Sequence, residues 1–207
     1  RGMSFPGIPG IVIGNNRSIT WGLTNLMNDD NDFVILRKDS VNSNKYIYNN
    51  RSYELDSIKE KIYVKDSLES EFVIKTTAIG PVISELKIKG FADYLPSENN
   101  NNPYKDKIMT FKWTGFEISD DVFSFYRINT AKNWEDFKSA LKDFCVPAQN
   151  FTYADIYGNI GYHAAGRIPI RKTNNNNNYL FPAEDELEWT GFIDFEKMPN
   201  LYNPKEG

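Results

Sequence analysis

The sequence has very few of the residues on which several common chemistries depend. Among its 207 residues there is one cysteine, Cys145, and one histidine, His163. A single thiol excludes an internal disulfide and any zinc site built from several cysteines. The formal net charge of −4 at pH 7 disfavours a nucleic-acid partner, which requires a basic surface.

Long apolar runs are also missing. No stretch reaches the roughly 18 apolar residues that a membrane-spanning helix needs, and none resembles a signal peptide. The first residue is Arg1 rather than methionine, so we expect a processed chain or a fragment. Apolar residues make up 40% of the chain, with 14 Phe and 12 Tyr, which is enough for a packed core. The length predicts one large domain or two small ones.

Short β-branched and aromatic runs between Gly, Pro and Asn turns predict a β-rich chain. Residues 11–13 and 19–22 are predicted to form two strands joined by an Asn-rich turn. The central region predicts a β meander, because several of its runs alternate apolar and polar residues. The predicted strands there cover residues 33–37, 45–48, 61–64, 71–77, 82–87 and 108–113.

One helix is predicted over residues 133–146, followed by a hairpin at 151–154 and 160–163. Asn133 is a suitable N-cap, and Glu135 and Asp136 lie in the first turn, where the helix dipole favours negative charge. Apolar residues then recur at helical spacing before a proline ends the helix; they are Trp134, Phe137, Ala140, Leu141 and Phe144.

Two features suggest chemistry from residue types. Cys145 and His163 would form a nucleophilic pair if they met. However, Cys145 follows an apolar helix end, where a free thiol packs as a small hydrophobe. His163 has no second metal ligand at a useful spacing. We therefore favour structural roles for both residues.

The second feature is the acidic turn at residues 28–32. Calcium prefers six to eight oxygen ligands, and Asp29, Asp32 and the carbonyl of Asn31 would supply three of them. Solvated turns rich in Asn and Asp are common, and the spacing is not that of an EF-hand. The residues by themselves favour the solvated turn and give no mechanism.

Several motifs, in one order over nearly the whole chain, carry a family resemblance. Together they resemble the penicillin acylase family. The motifs are PGIPGIVIGNN at 6–16, ITWGLTN at 19–25, the acidic turn at 29–32, AKNW at 131–134, NFTYAD at 150–155, GNIGY at 158–162, GRIPIR at 166–171, EWTGF at 188–192 and YNPKEG at 202–207.

This resemblance implies an α+β fold: part of the four-layer αββα sandwich of N-terminal-nucleophile hydrolases. Residues 1–36 and 116–207 would belong to the sandwich and residues 37–115 to an inserted β-rich knob. Members of the family are amidohydrolases made as precursors that cleave themselves to free a serine at a new chain start. The serine hydroxyl attacks the amide carbonyl, and its own α-amino group, which titrates near neutrality, takes the proton.

The resemblance also implies that essential groups lie outside this chain. The serine would precede Arg1, and the asparagine side chain of the oxyanion hole would follow Gly207. We therefore expect an internal fragment of the nucleophile-bearing chain that is inactive by itself. Its partners would be a second chain from the same precursor and an N-acyl amide substrate, in the periplasm or outside the cell.

Only a few site residues carry over from the family. Asn25 matches the position whose backbone N–H donates to the oxyanion, although a strand-end residue that satisfies a turn would look the same. Ile13, Leu23 and Phe125 fall where related enzymes line the acyl pocket, with Gln149 close by. Each of these four residues fits a place in the hydrophobic core equally well.

The family's calcium ligands match Asp29, the Asn31 carbonyl and Asp32, so a structural Ca2+ becomes an even alternative to the solvated turn. Further ligands would come from outside the chain. No cofactor is expected for catalysis.

The central meander departs from the family. A T-x-H-G-P motif is common there, and Ile79 replaces its histidine.

The leading substrates that the resemblance implies are penicillin-type β-lactam amides and N-acyl-homoserine lactones. The alternatives are an inactive family member and a non-enzymatic β-rich binding module.

Overall fold

The computed structural model describes residues 1–67, 69–85, 107–172, 180–182 and 189–206. In these ranges two short 3-10 turns, Thr114–Phe116 and Phe195–Lys197, accompany two α-helices and fifteen strands. The helices are α1 (Asp121–Thr130) and α2 (Trp134–Leu141). The strands are β1 (Gly2–Met3), β2 (Ile13–Asn15), β3 (Ile19–Asn25), β4 (Asn31–Lys38), β5 (Lys45–Tyr48), β6 (Arg51–Glu54), β7 (Asp56–Ile62), β8 (Ser70–Thr76), β9 (Lys107–Trp113), β10 (Gln149–Asp155), β11 (Ile160–Ala165), β12 (Pro169–Arg171), β13 (Leu180–Pro182), β14 (Trp189–Phe192) and β15 (Asn200–Tyr202).

The chain divides into two compact units. The first comprises Arg1–Asp30, Thr114–Ile170 and Trp189–Gly207, and the second comprises Asn31–Trp113 and Arg171–Glu188. The second unit thus starts at Asn31, whereas the sequence predicts that the knob covers residues 37–115. It also includes a later segment, because β13 pairs parallel with β4.

The first unit is built on a six-stranded sheet in the order β1-β2-β3-β10-β11-β15. Strand β10 is central and pairs antiparallel with β3 on one side and β11 on the other. The β10–β11 hairpin is confirmed, with β10 three residues longer and β11 two residues longer than the sequence predicts. Strands β12 and β14 form a separate two-stranded sheet.

Helix α2 is confirmed but is shorter than predicted. The side chain of Asn133 accepts a hydrogen bond from the N–H of Asp136 at 2.8 Å, which makes it the expected N-cap. The helix ends at Leu141 rather than 146, because the N–H groups of Lys142 and Phe144 bond three residues back and tighten the last turn.

The sequence did not predict helix α1. Its residues are rich in aromatic and β-branched types, and apolar side chains lie on both its inner and outer sides: Ile128 is buried, whereas Phe123 and Tyr126 are exposed. Such a pattern lacks the one-sided apolar stripe that identifies an amphipathic helix. Both helices contribute to one core with the sheet, since Ile128 and Phe137 cluster with Phe151.

That core is mainly aromatic. The ring of Trp134 meets that of Tyr153 edge to face at 5.3 Å, and Phe144 meets Phe151 in the same way at 5.0 Å. Gly161 lies directly beneath Trp134, and a Cβ at this position would lie 2.4 Å from the indole ring. Each fully buried large apolar side chain contributes roughly 1.5–3 kcal/mol, so these contacts fix β10 and β11 under the helices.

The second unit contains a sheet centred on β4, which pairs with β9 and β5 antiparallel and with β13 parallel. Its core includes Leu36, Tyr46 and Ile108. A separate ribbon joins β7 and β8. The strand predicted at 61–64 is wrong in its bounds, since β7 spans Asp56–Ile62. In the region predicted as a strand at 82–87, Val82 forms only an isolated bridge with Thr110, and residues 86 and 87 lie outside the described residues.

Candidate functional site

Asn25 is the last residue of β3, and its backbone N–H points away from β10. Leu26 donates to the Ala148 carbonyl at 3.0 Å, so the neighbouring pair, Asn25 and Gln149, is a non-hydrogen-bonded pair of the antiparallel ladder. On the opposite side of β3 from β10, the Ile19 carbonyl accepts a hydrogen bond from the Asn16 N–H. The backbone groups of Ile19 and Asn25 thus follow the same alternation along β3 and face away from β10. Within the described residues, β2 pairs with β3 only at Thr20 and Trp21. The Asn25 N–H therefore faces the edge of β3 beyond its pairing with β2.

Gln149 contacts the side chain of Asn25. Its Nε2 donates to Asn25 Oδ1 at 2.9 Å and to the Pro147 carbonyl at 3.1 Å. Gln149 is 4% exposed, and its Oε1 has no hydrogen-bond partner among the described residues. The two residues that the sequence singled out separately, Asn25 and Gln149, are thus brought together.

Asn150 holds the same strand end from the opposite face of the sheet. Its Nδ2 donates to the Asn25 carbonyl at 3.1 Å and to Thr24 Oγ1 at 3.3 Å. Tyr162, on β11, donates its hydroxyl to Asn150 Oδ1 at 2.6 Å. Asn150 was not predicted as a site residue, although it opens the NFTYAD motif.

Of the three predicted apolar pocket residues, Leu23 and Phe125 lie against the aromatic core. Leu23 pairs with Phe151, and the ring of Phe125 meets that of Phe144 edge to face at 5.7 Å. Ile13 is 37% exposed, and by strand alternation it faces the side of the sheet opposite Leu23. The structure does not bring Ile13 together with the other two.

At the acidic turn, two of the three predicted calcium ligands face a guanidinium group. Arg171 Nε lies 3.1 and 3.2 Å from the carboxylate oxygens of Asp32, and its Nη2 donates to the Asn31 carbonyl at 3.3 Å. Asp32 is 3% exposed. Asp29 belongs to the first unit and the other two residues to the second. The oxygen donors are of the type that calcium prefers, but the cation that they bind here is Arg171.

The described ranges contain no group of three or more His, Cys, Asp or Glu residues with the geometry of a metal site. Sequence reasoning missed Arg171 as a partner of Asp32, because 139 residues separate them. The one sequence feature that marked Arg171 was its position at the end of the GRIPIR motif.

Cys145 and His163 have separate structural surroundings. The Cys145 N–H donates to Asp121 at 2.5 Å, and burial raises the pKa of its thiol. His163 is fully buried, with its ring stacked on Phe195 at 4.2 Å and Nδ1 2.7 Å from the Ala164 carbonyl. Burial lowers the pKa of His163 and keeps the ring neutral. These contacts give no nucleophile–base pair.

None of the helices in the described ranges is long and apolar enough to cross a membrane. Comparison with solved structures identifies the class of fold. The thermostable penicillin G acylase from Alcaligenes faecalis matches with a TM-score of 0.79 at 23% sequence identity, covering 100% of this chain and 36% of that chain. The chain therefore has the α+β fold of the matching part of that acylase.

The family follows from the sequence match. Residues 1–207 match the penicillin amidase family model over their whole length, so the chain belongs to the penicillin amidase family. Penicillin G acylase from Escherichia coli is 28% identical over 199 residues, which are 96% of this chain and 22% of that protein. An acyl-homoserine lactone acylase from Pseudomonas aeruginosa is 24% identical over 213 residues, which are 100% of this chain and 24% of that protein.

A third relative, the penicillin acylase 2 proenzyme from Pseudomonas sp. (strain SE83), is 23% identical over 208 residues, with 100% of this chain and 25% of that protein covered. The chain thus spans about a quarter of the length of these curated relatives.

Proposed function

We propose that the protein to which this chain belongs hydrolyses N-acyl amides. The observation that carries this proposal is the family match over all 207 residues. The similar proteins are acylases named for penicillin and for acyl-homoserine lactones. We therefore propose these two amide classes as the substrates to be tested.

In the proposed mechanism, a serine at a chain start outside residues 1–207 is the nucleophile. Its hydroxyl oxygen bonds to the amide carbonyl carbon, and its α-amino group accepts the proton and passes it to the departing amine. Water then attacks the resulting acyl ester, which releases the acid and restores the serine.

Asn25 supplies one hydrogen-bond donor to the oxyanion in this mechanism. Its N–H faces the edge of β3 and not the ladder with β10, and the supporting amide of Gln149 holds its side chain. A preorganised donor of this kind typically contributes about 2.7–4 kcal/mol of transition-state stabilisation. Leu23, Phe125 and Gln149 are proposed as residues of the acyl pocket or its wall, and Ile13 as a more distant contributor.

We further propose that the serine-bearing precursor supplies a partner chain, that the protein works in the periplasm or outside the cell, and that residues 1–207 are inactive by themselves. A structural Ca2+ at Asp29, Asn31 and Asp32 is a separate proposal. There, Asp32 and the Asn31 carbonyl would hold the ion in place of Arg171, which binds both groups in this structure.

The test is a hydrolysis screen of the full-length protein, with mass spectrometry of its chain starts. Phenylacetyl, aliphatic and lactone-linked amides would be the substrates. We expect a chain that begins with serine and turnover of at least one amide class. A self-cleaved protein without turnover, or a protein with no serine at a chain start, would instead support the inactive or non-enzymatic alternatives.

A further inference from the structure

We propose that Asn150 is a positioning residue that fixes the backbone N–H of Asn25 in the direction of the oxyanion. This inference rests on the proposed function, because it assigns Asn25 to the oxyanion hole. Asn150 itself lies on the opposite face of the sheet from Gln149, and it contacts the main chain of Asn25 and not the reacting atoms.

The end of β3 needs such support. Asn25 is the last residue of the strand, and two residues later Met27 has a positive φ of 56° and is 86% exposed. Strand ends with exposed neighbours open more readily than strand centres. A donor that stabilises an oxyanion works only if its direction is fixed before the reaction, because reorientation during catalysis would cost free energy.

Asn150 and Gln149 hold Asn25 at two different atoms. Asn150 Nδ2 lies 3.1 Å from the Asn25 carbonyl oxygen, and Gln149 Nε2 lies 2.9 Å from the Asn25 side-chain oxygen. Because neighbouring residues of β10 project to opposite faces, the two amides contact the strand end from both sides. The Asn25 peptide groups are then restricted from rotating about the strand axis.

Tyr162 sets the orientation of the Asn150 amide. Its hydroxyl donates to Asn150 Oδ1 at 2.6 Å, so the NH2 group of Asn150 is directed at Thr24 and Asn25. A flipped amide would put an acceptor against the Asn25 carbonyl and lose both contacts. Three strands, β3, β10 and β11, therefore contribute to the placement of one N–H group.

The test uses the full-length, matured protein with three variants. Asn150→Asp is nearly isosteric, but it replaces the NH2 donor with an acceptor that faces the Asn25 carbonyl. Tyr162→Phe removes only the hydroxyl that orients Asn150, and it remains informative if the first variant folds poorly. Thr152→Val is the matched control, because Thr152 is on the same strand and face and its hydroxyl bonds to the Gly22 carbonyl at 3.3 Å, away from Asn25.

We expect Asn150→Asp to lower kcat by roughly 10-fold to 100-fold with KM within about twofold, since small misplacements of catalytic donors have effects of this size. Tyr162→Phe should give a smaller loss of kcat, and Thr152→Val none. A merely structural role for Asn150 would move the thermal midpoint and leave kcat per folded molecule unchanged, which would overturn the proposal.

A second readout separates this inference from the proposed function. Hydrogen–deuterium exchange of the peptide that contains Asn25 should become faster in Asn150→Asp and Tyr162→Phe than in Thr152→Val. Equal exchange in all three variants would overturn the positioning role even if the enzyme is active. Absence of amide hydrolysis by the wild-type protein would refute the proposed function and the oxyanion role of Asn25 together, whatever the exchange rates.

Discussion

The side-chain amide of Gln149 donates a hydrogen bond to the side-chain oxygen of Asn25 at 2.9 Å, across 124 residues of sequence. This contact engages the Asn25 side chain within the fold, so that the group which Asn25 presents at the edge of β3 is its backbone N–H. Gln149 is buried where it makes this contact, although its own Oε1 has no hydrogen-bond partner among the described residues. A buried polar atom without a hydrogen bond lowers the stability of the fold by about 1–3 kcal/mol. Destabilising features of this kind occur at functional sites.

Gly161 should be intolerant of any side chain, because its position is filled by the ring of Trp134. A Cβ there would lie 2.4 Å from Trp134 Cζ3. We predict that Gly161→Ala lowers stability by about 1–3 kcal/mol, as overpacking of a core does, and changes the tryptophan fluorescence. Gly22→Ala is the control in the same sheet, since its nearest neighbour is the Thr152 hydroxyl at 3.1 Å. Equal thermal midpoints for the two variants would refute the packing.

His163 should make stability depend on pH below neutrality. Its folded pKa is lowered by burial from the ordinary value of 6.5, so the unfolded chain binds the proton first as the pH falls. The contribution of this group is fully present above pH 6.5 and decreases below it, by at most about 1.4 kcal/mol per pH unit.

His163→Phe keeps an aromatic ring against Phe195 and removes the titration. We predict that this variant resembles the wild type at pH 7.5 and loses less stability than the wild type between pH 6.5 and pH 5. Thermal midpoints across this range measure the difference. Parallel curves for the two proteins would show that His163 is not the group responsible.

Asp32 and Arg171 give a test of the calcium proposal. Removing one member of a buried ion pair costs about 3–5 kcal/mol, so Asp32→Ala should destabilise the full-length protein by this order. If calcium binds at this turn, Asp32→Ala should also reduce the bound calcium, whereas Arg171→Gln should retain or increase it because a competing positive charge is removed. Metal analysis after dialysis measures this, and the same calcium content in Asp32→Ala as in the wild type would argue for an ion pair without calcium.

Substitution of Phe125 tests whether this residue lines the predicted acyl pocket. It is only partly buried against the core and meets Phe144 edge to face at 5.7 Å. We predict that Phe125→Leu changes the ranking of kcat/KM among acyl chain lengths, with differences of about 10-fold or more, because one methylene in an apolar pocket changes the free energy by about 1–3 kcal/mol. Phe195→Leu, in the same core, should leave the ranking as it is. An unchanged ranking in both would make Phe125 a core residue only.

Local patterns predicted the parts of the fold whose interactions are local. The Asn133 cap and the β10–β11 hairpin are determined by residues a few positions apart, and both were predictable from spacing. Helix α1 was not, because apolar residues on both its sides hide the helical period. The parallel pairing of β13 with β4 was not predictable either, since nothing local to either strand specifies a partner so distant along the chain.

The candidate site divides in the same way. Asn25 and Gln149 were found from the family resemblance, but the hydrogen bond between them depends on the register of β3 against β10. The support from Asn150 and the ion pair of Asp32 with Arg171 depend on similar long-range pairing. Sequence therefore identified the residue types, and the structure supplied their orientation.

The most direct measurement compares kcat of Asn25→Pro and Asn25→Ala in the full-length protein. Proline removes the backbone N–H, and because this N–H faces away from β10, the ladder with β10 loses no hydrogen bond. Alanine keeps the N–H and loses only the contact with Gln149. We predict that Asn25→Pro lowers kcat by about 100-fold to 1,000-fold at a thermal midpoint close to that of Asn25→Ala, which should lose less than about 10-fold. Equal kcat values in the two folded variants would contradict the role of Asn25 in the oxyanion hole.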